Sequence, residues 1–211
     1  MPIYEPQSFY DELKEGALKD YPKIGNDDRE TSYFLRMYLS CTQAVRYLKD
    51  RPDWDGKTLV VRGTSQGGMQ TLVTAALCND LVTAACAKVP AGCDLNGPVN
   101  RNAPGWPRSY YATGGKDPEK VRQTAQYFDV VNFAPDIRCP TLIGMGLADV
   151  TCPPAGIFIA ANQIEGPVEI VTMPSSGHQA TDLDPHSAFT EQESLWLKEI
   201  KAGEIPLTVG Q

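Results

Sequence analysis

The chain has 211 residues, of which 42% are hydrophobic and 21% charged, and its net charge at pH 7 is −7. This length and composition fit one soluble globular domain that buries roughly 70% of the surface of its unfolded chain. No basic run stands out to neutralise phosphates, so nucleic acid and anionic membranes are not expected as partners.

No run approaches the ~20 apolar residues that a membrane span needs, and the start of the chain lacks the features of a signal peptide. The sequence as written therefore predicts a cytoplasmic protein, or a secreted one if an amino-terminal portion is missing. The cysteines show no metal-site spacing. Apolar contexts predict buried free thiols at Cys41, Cys78, Cys86 and Cys139, while a disulfide between Cys93 and another loop cysteine stays open.

The amino-terminal residues 1–26 are rich in polar residues and prolines, which predicts an irregular segment with a short helix around 9–18. Asp27 and Glu30 then have the spacing of a capping box. The apolar residues that follow are spaced by three and four, which predicts a helix that Pro52 and Gly56 close. These residues are Phe34, Tyr38, Cys41, Val45 and Leu48.

From residue 59 onward, short apolar segments alternate with helical ones. The predicted strands are 59–62, 81–89, 141–146 and 168–173, and the predicted helices are 66–78, 119–128, 154–163 and a last one that Asp184 and Pro185 begin. Residues 90–118, rich in glycine and proline, predict a long loop at the edge of a site. Such alternation predicts an α/β fold, a parallel sheet with helices on both faces and a site at the carboxyl ends of its strands.

The most specific motif is Gly63-Thr64-Ser65-Gln66-Gly67-Gly68, which follows the first strand and precedes a helix. Gly-x-Ser-x-Gly in this position predicts a nucleophile elbow, a sharp turn that holds a serine hydroxyl above the end of the sheet. Ser65 is expected at positive φ, and glycine at 63 and 67 is expected to prevent a clash across the turn. The backbone N–H of Gln66 is the expected oxyanion donor.

A serine nucleophile needs a base and an orienting carboxylate, and the chain has only two histidines. His178 follows the fourth strand and is the favoured base, whereas His186 beside the last helix fits a solvated surface residue. Asp149 follows the third strand and is the favoured acid, although an aspartate there could also cap a helix. Less well placed aspartates are Asp80, Asp94, Asp129 and Asp136. The order Ser65, Asp149, His178 is that of α/β-hydrolases and predicts ester hydrolysis through an acyl-enzyme.

Three motifs together resemble the acetyl xylan esterase and cephalosporin C deacetylase group, carbohydrate esterase family seven. They are the elbow, Gly146-Leu147-Ala148-Asp149 with Cys152-Pro153-Pro154, and Ser176-Gly177-His178-Gln179. The resemblance implies deacetylation of small acetylated sugars without a metal or other cofactor, in oligomers whose shared interior admits the substrate. We take Trp106, Cys93 and Pro153 as candidates for the substrate pocket.

An α/β-hydrolase has strands before its elbow strand, and a loop after one of them supplies the second oxyanion N–H. Only residues 1–58 precede Leu59, and they show no convincing strand. We therefore predict an irregular segment 1–26, a partial α/β-hydrolase catalytic core 27–205 that lacks amino-terminal strands, and a tail 206–211. The apolar edge of the elbow strand favours a homo-oligomer or association with a missing amino-terminal portion.

Two alternative functions stay open on the sequence. A prolyl-oligopeptidase-type serine peptidase shares the order serine, aspartate, histidine. An inactive partial hydrolase domain could instead serve as a binding or assembly module.

Overall fold

The computed structural model describes residues 5–184, 186–204 and 206. Four strands form one parallel sheet in the order β1-β2-β3-β4, with bounds Val60–Thr64, Ala84–Lys88, Thr141–Gly146 and Val168–Met173. The helices are α1 Gln7–Glu15, α2 Tyr33–Lys49, α3 Gln66–Leu77, α4 Pro118–Gln126, α5 Val130–Phe133, α6 Pro154–Ala161 and α7 Ser187–Lys201. None of these helices is long and apolar enough to cross a membrane.

Successive side chains of the strands point to opposite faces of the sheet and build two apolar clusters. One cluster joins Ala85 and Ile143 to helices of the first face, including α3 and α6. The other joins Leu142 to Phe189 and Trp196 of α7. The predicted α/β architecture, a parallel sheet with helices on both faces, is confirmed.

Most elements follow the sequence pattern closely. β3 and β4 have the predicted bounds, and 90–118 contains one 3-10 turn, Gly97–Asn100, with no strand before the start of α4 at Pro118. The second strand is shorter than predicted, because the N–H groups of Leu81 and Val82 bond to the carbonyl of Cys78 and close a turn after α3. Helix α5 was not predicted.

The predicted capping box at Asp27 and Glu30 is wrong. Helix α2 begins six residues after Asp27, and Ser32 caps it by accepting a hydrogen bond from the N–H of Phe34. The carboxylate of Asp27 instead accepts a hydrogen bond of 2.7 Å from Lys116. Lys116, from a distant segment, therefore binds the side chain that local spacing predicts to cap the helix.

The predicted cap of the last helix is also wrong. Helix α7 begins at Ser187 with His186 in the capping position, and Pro185 lies outside the described residues. Asp184 accepts a hydrogen bond of 2.6 Å from the hydroxyl of Ser176. It therefore braces the loop after β4. The predicted tail 206–211, apart from Pro206, also lies outside the part of the chain that the structure describes.

The elbow strand β1 lies at an edge of the sheet, and among the described residues its only partner is β2. An apolar groove of about 380 Å³ runs along this edge between α2 and α3, and Leu48, Val60 and Val61 line it. Leu48, which the helical spacing predicted to be buried, is 46% exposed. The apolar face of α2, which includes Leu48, is thus only partly buried, because no described strand lies beyond β1.

Candidate active site

Ser65 lies in a sharp turn between β1 and α3, with φ 58° and ψ −117°. The positive φ is the one expected of a nucleophile elbow. The N–H of Ser65 donates to the carbonyl of Lys88, and its carbonyl accepts from the N–H of Ala91. Two hydrogen bonds from the end of β2 thus hold a conformation that a non-glycine residue rarely adopts.

The glycines of the elbow have different roles. A Cβ added at Gly63 would lie 2.4 Å from the carbonyl carbon of Gly67, so position 63 has no room for a side chain. A Cβ added at Gly67 would meet nothing within 4 Å, and the predicted steric need for glycine there is therefore wrong. At Gly68 the added Cβ would lie 2.9 Å from the Cα of Pro90, so this glycine lets α3 pack closely on the segment after β2.

The structure brings together the three residues that the sequence singled out. Ser65 Oγ lies 2.8 Å from His178 Nε2, and His178 Nδ1 lies 2.7 Å from Asp149 Oδ2. They follow β1, β4 and β3 respectively, all at the carboxyl end of the sheet. Because an ionised carboxylate only accepts, Nδ1–H donates to Asp149 and Nε2 is free to take the serine proton. Their catalytic roles stay predictions.

The carboxylate of Asp149 is held by its own loop. Its Oδ1 accepts hydrogen bonds from the N–H groups of Thr151 at 2.7 Å and Cys152 at 2.9 Å. Its side chain is fully buried, and that of His178 is 11% exposed. Helix α6 has Pro153 in its capping position, so Asp149 does not cap it. The two N–H groups bind Oδ1, and Oδ2 faces the histidine.

The loops after β3 and β4 are tied to each other. The N–H of Ala148 donates to the carbonyl of Ser176 at 3.1 Å. A Cβ added at Gly146 would lie 2.4 Å from the same carbonyl oxygen, so only glycine permits this approach. The loop that carries the predicted base is therefore positioned against the loop that carries the predicted acid.

His186 is not the solvated histidine that the sequence suggested. It is 2% exposed, and its Nε2 lies 3.2 Å from the carbonyl oxygen of Gly177. His186 lies in the capping position of α7 and is buried against the loop after β4, where Gly177 directly precedes the predicted base His178.

Asp129, one of the alternative acids, has a structural position instead. It accepts hydrogen bonds from the N–H groups of Asp94, Leu95 and Val131, at 3.0, 2.6 and 3.0 Å. Burial raises the pKa of this carboxyl to about 6, against the opposing effect of these three donors. Asp129 thereby fastens the start of the long loop 90–118. Among the described residues, neither Asp80 nor Asp136 bonds to a histidine, and both are exposed.

The three pocket candidates lie in different environments. Trp106 is partly buried, its backbone N–H donates to the carbonyl of Thr151 at 2.9 Å, and its ring packs edge-to-face on Phe34. Trp106 is thus attached directly to the loop of the predicted acid. Cys93 and Pro153 are buried, so they offer little surface to a substrate. The pocket role of all three stays a prediction.

Gln66 is the first residue of α3, so its N–H has no partner within the helix. Its side-chain oxygen accepts a hydrogen bond of 2.6 Å from the hydroxyl of Tyr21, and its amide nitrogen lies 2.9 Å from Met37 Sδ. Burial, and secondarily Tyr33, raises the pKa of Tyr21. Tyr21 was missed, because it lies in a segment that shows no motif or periodicity.

A thiol also borders the site. Asp149, Cys152 and His178 each offer one ligand atom, and these atoms lie within 4.8 Å of one another. Burial, and secondarily the charge of Asp149, raises the pKa of Cys152 to about 12. All six cysteines are free thiols in the structure. The Asp-x-x-Cys spacing was visible in the sequence, but its closeness to the histidine was not.

A parallel sheet with an elbow serine, and with an aspartate and a histidine at neighbouring strand ends, defines an α/β-hydrolase. More narrowly, the chain belongs to the acetyl xylan esterase (AXE1) family, which matches residues 11–199. The resemblance stated from the sequence motifs is thereby confirmed.

Among curated proteins, the chain is similar to the acetyl esterase Axe7A of Xylanibacter ruminicola, with 41% identity over 178 residues. That match covers 84% of this chain and 39% of the relative. The chain therefore spans about two fifths of the length of this curated relative.

Two solved structures of acetyl xylan esterases are also similar. The one from Paenibacillus sp. R4 has 28% identity and a TM-score of 0.72, covering 86% of this chain and 57% of that one. The one from Thermoanaerobacterium has 26% identity and a TM-score of 0.68, with coverage of 82% and 55%. A dipeptidyl peptidase 4 from Porphyromonas gingivalis has 17% identity and a TM-score of 0.62, covering 79% and 23%, and this likeness shows the fold alone.

Proposed function

We propose that this chain is the catalytic part of a serine esterase that hydrolyses acetyl esters of small carbohydrates. The observation that carries the proposal is the continuous hydrogen-bonded chain from Ser65 through His178 to Asp149. The names of the acetyl esterase and acetyl xylan esterases to which the chain is similar support acetyl as the acyl group and a xylan-derived sugar as the alcohol.

In the proposed reaction, Ser65 Oγ attacks the carbonyl carbon of the acetyl ester while His178 Nε2 takes its proton. Asp149 keeps Nδ1 protonated and stabilises the imidazolium that forms. The N–H of Gln66 donates to the oxyanion. Collapse of this intermediate transfers the proton to the departing sugar hydroxyl and leaves acetyl-Ser65, which water hydrolyses to acetate by the same steps.

Labelling with a fluorophosphonate probe, together with acetate release from an acetylated xylo-oligosaccharide, tests this proposal. Wild type and the control Ser194→Ala, which removes an exposed hydroxyl of α7, are expected to label and to turn over. Ser65→Ala is expected to do neither. Labelling that persists in Ser65→Ala would refute the assignment of the nucleophile.

Adding a peptide amide substrate to the same assay separates the two alternatives. Cleavage of a peptide amide with no acetate release would indicate a serine peptidase, whose fold is similar at 17% identity. Complete failure of the folded chain to label would indicate a binding or assembly module.

We also propose that the open edge of β1 associates with a second copy of this chain. An unpaired strand edge presents free N–H and C=O groups, and here it adjoins an apolar groove with Leu48 exposed beside it. Covering this groove would bury the part of the apolar face of α2 that the described chain leaves open.

Light scattering over a range of concentrations tests the association. Wild type and the control Leu195→Lys, which changes a similarly exposed leucine of α7, are expected to form oligomers. Leu48→Lys places a charge in the groove and is expected to be monomeric. A wild-type chain that stays monomeric throughout would refute self-association and favour an amino-terminal portion as the occupant.

A further inference from the structure

Next to the proposed nucleophile, a sulfur, a nitrogen and an oxygen donor converge, and ester hydrolysis uses only two of them. We propose that Asp149, Cys152 and His178 form a binding site for a soft divalent cation such as Zn²⁺, and that occupation of this site reversibly inhibits the hydrolase. The inhibitory part rests on the proposed function, whereas the binding part does not. The cation is an inhibitor here and not a cofactor.

The distances allow one ion to reach all three groups after a small adjustment. One ligand atom from each residue lies within 4.8 Å of the other two, and tetrahedral zinc bonds would draw these atoms to about 3.3–3.8 Å from one another. Zinc takes thiolate, imidazole and carboxylate ligands in the same site. Three protein ligands leave a fourth position open for water. Ser65 Oγ lies 2.8 Å from His178 Nε2, so an ion held by the imidazole also lies near the proposed nucleophile.

The local sequence places the thiol. Asp149 Oδ1 accepts the N–H of Cys152, and this short turn brings residue 152 back over the carboxylate. Cys152 is only 1% exposed, so the thiol is held inside the site. The metal-like spacing was absent from the sequence because the imidazole comes from a different loop, 26 residues further along.

The charges favour a divalent cation over a monovalent one. With the carboxylate ionised, the imidazole neutral and the thiol protonated, the site carries one negative charge. Binding of the cation at Nδ1, the ring nitrogen that faces Asp149, releases the thiol proton to solvent and moves the imidazole proton to Nε2. The imidazole stays neutral, and the two positive charges of the cation balance the carboxylate and the thiolate. A buried site with no net charge avoids much of the desolvation cost that an unpaired ion would incur.

Metal binding and catalysis compete for the same atoms. A cation bound to the histidine and the carboxylate removes the base from Ser65 and the orienting partner from His178. The hydroxyl of Ser65 then has no group to accept its proton, so attack on an ester stops until the cation leaves.

Cadmium provides a readout that does not depend on activity, because a cadmium–thiolate bond absorbs in the ultraviolet. The metal-free chain, kept reduced with a phosphine, is titrated with Cd²⁺. We expect one equivalent to produce the band in wild type and in the control Cys41→Ser, which removes the half-buried thiol of α2. Cys152→Ser is expected to lose the band, and His178→Ala to weaken binding by about tenfold or more.

Circular dichroism checks that each variant folds, and the partly exposed His178 gives a second test if Cys152→Ser does not. A band that survives in Cys152→Ser, or an affinity that His178→Ala leaves unchanged, would overturn the site. Mg²⁺, which prefers oxygen ligands, is expected to have no effect.

Zn²⁺ is expected to slow fluorophosphonate labelling of wild type and to affect Cys152→Ser much less. Equal slowing of both proteins would refute the inhibitory role. A chain that binds Cd²⁺ as expected but never labels would leave the metal site standing and refute the esterase, so the two failures are distinguishable.

Discussion

Two regions of the candidate site are held in different ways. One is the pair of loops after β3 and β4, and the other is the elbow at the end of β1. Asp149 is fixed by two N–H groups of its own loop, and Ala148 ties that loop to the one that carries the base. On the other side, the edge of β1 is unpaired among the described residues, and Gln66 offers a single N–H. The predicted acid and base are thus held by hydrogen bonds within and between their own loops, whereas the predicted oxyanion donor lies next to the open strand β1.

The largest expected effect concerns the loops after β3 and β4. Asp149→Asn keeps the shape of the side chain but no longer fixes the tautomer of His178, and we expect kcat/KM for an acetyl ester to fall by about 10⁴-fold. Asp136→Asn, which neutralises an exposed aspartate, should leave kcat/KM unchanged. Similar losses in both variants would show that Asp149 has no specific role in the reaction.

The second largest expected effect concerns Asp129, which holds the start of the long loop 90–118. Trp106 of that loop is hydrogen-bonded to the loop after β3. The pKa of Asp129 is raised by burial to about 6, above its ordinary value near 4. Its contribution to stability is therefore complete below about pH 4 and is lost as the pH rises through about 6. Relative to Asp129→Asn, the free energy of unfolding of wild type should fall over this window, by about 3 kcal/mol at most.

Urea unfolding of both proteins at pH 4, 5, 6 and 7 measures this difference. Other carboxyl groups titrate in both proteins, so their contributions cancel in the comparison. Parallel pH profiles would contradict the raised pKa. They would also mean that the carboxyl group of Asp129, which binds the N–H groups of Asp94 and Leu95, does not titrate in this pH range.

The smallest expected effect is on the elbow side. Tyr21→Phe removes the hydrogen bond to the side chain of Gln66, worth about 1 kcal/mol, and should lower kcat about fivefold with little change in KM. Tyr111→Phe, at a tyrosine that is 67% exposed, is the matched control. An unchanged kcat in Tyr21→Phe would show that the segment before α2 does not position the elbow.

Much of the architecture could be predicted because it depends on local patterns. β3 and β4 are short apolar runs between loops rich in glycine and proline, and their predicted bounds match the structure. The helix starts were harder to predict. Asp27 has the right residue type for a cap, yet Lys116 from 89 residues away binds it instead.

The candidate site shows the same division. Ser65, Asp149 and His178 were identified because each follows a strand, and the carboxyl ends of parallel strands converge at one edge of a sheet. Tyr21 and the burial of His186 could not be predicted, because each depends on packing between segments distant in sequence. The predicted domain boundaries and pocket residues stay predictions.

The sequence by itself determined the α/β class, the family and the order of the predicted nucleophile, acid and base, because these depend on residue type and on spacing within single strand-and-loop segments. Only the tertiary structure decided that Cys152 borders His178, that Gly67 has no steric need to be glycine, and that Leu48 is exposed at an open edge. These properties depend on contacts between side chains of separate elements. The spacing of residues within one element does not encode such contacts.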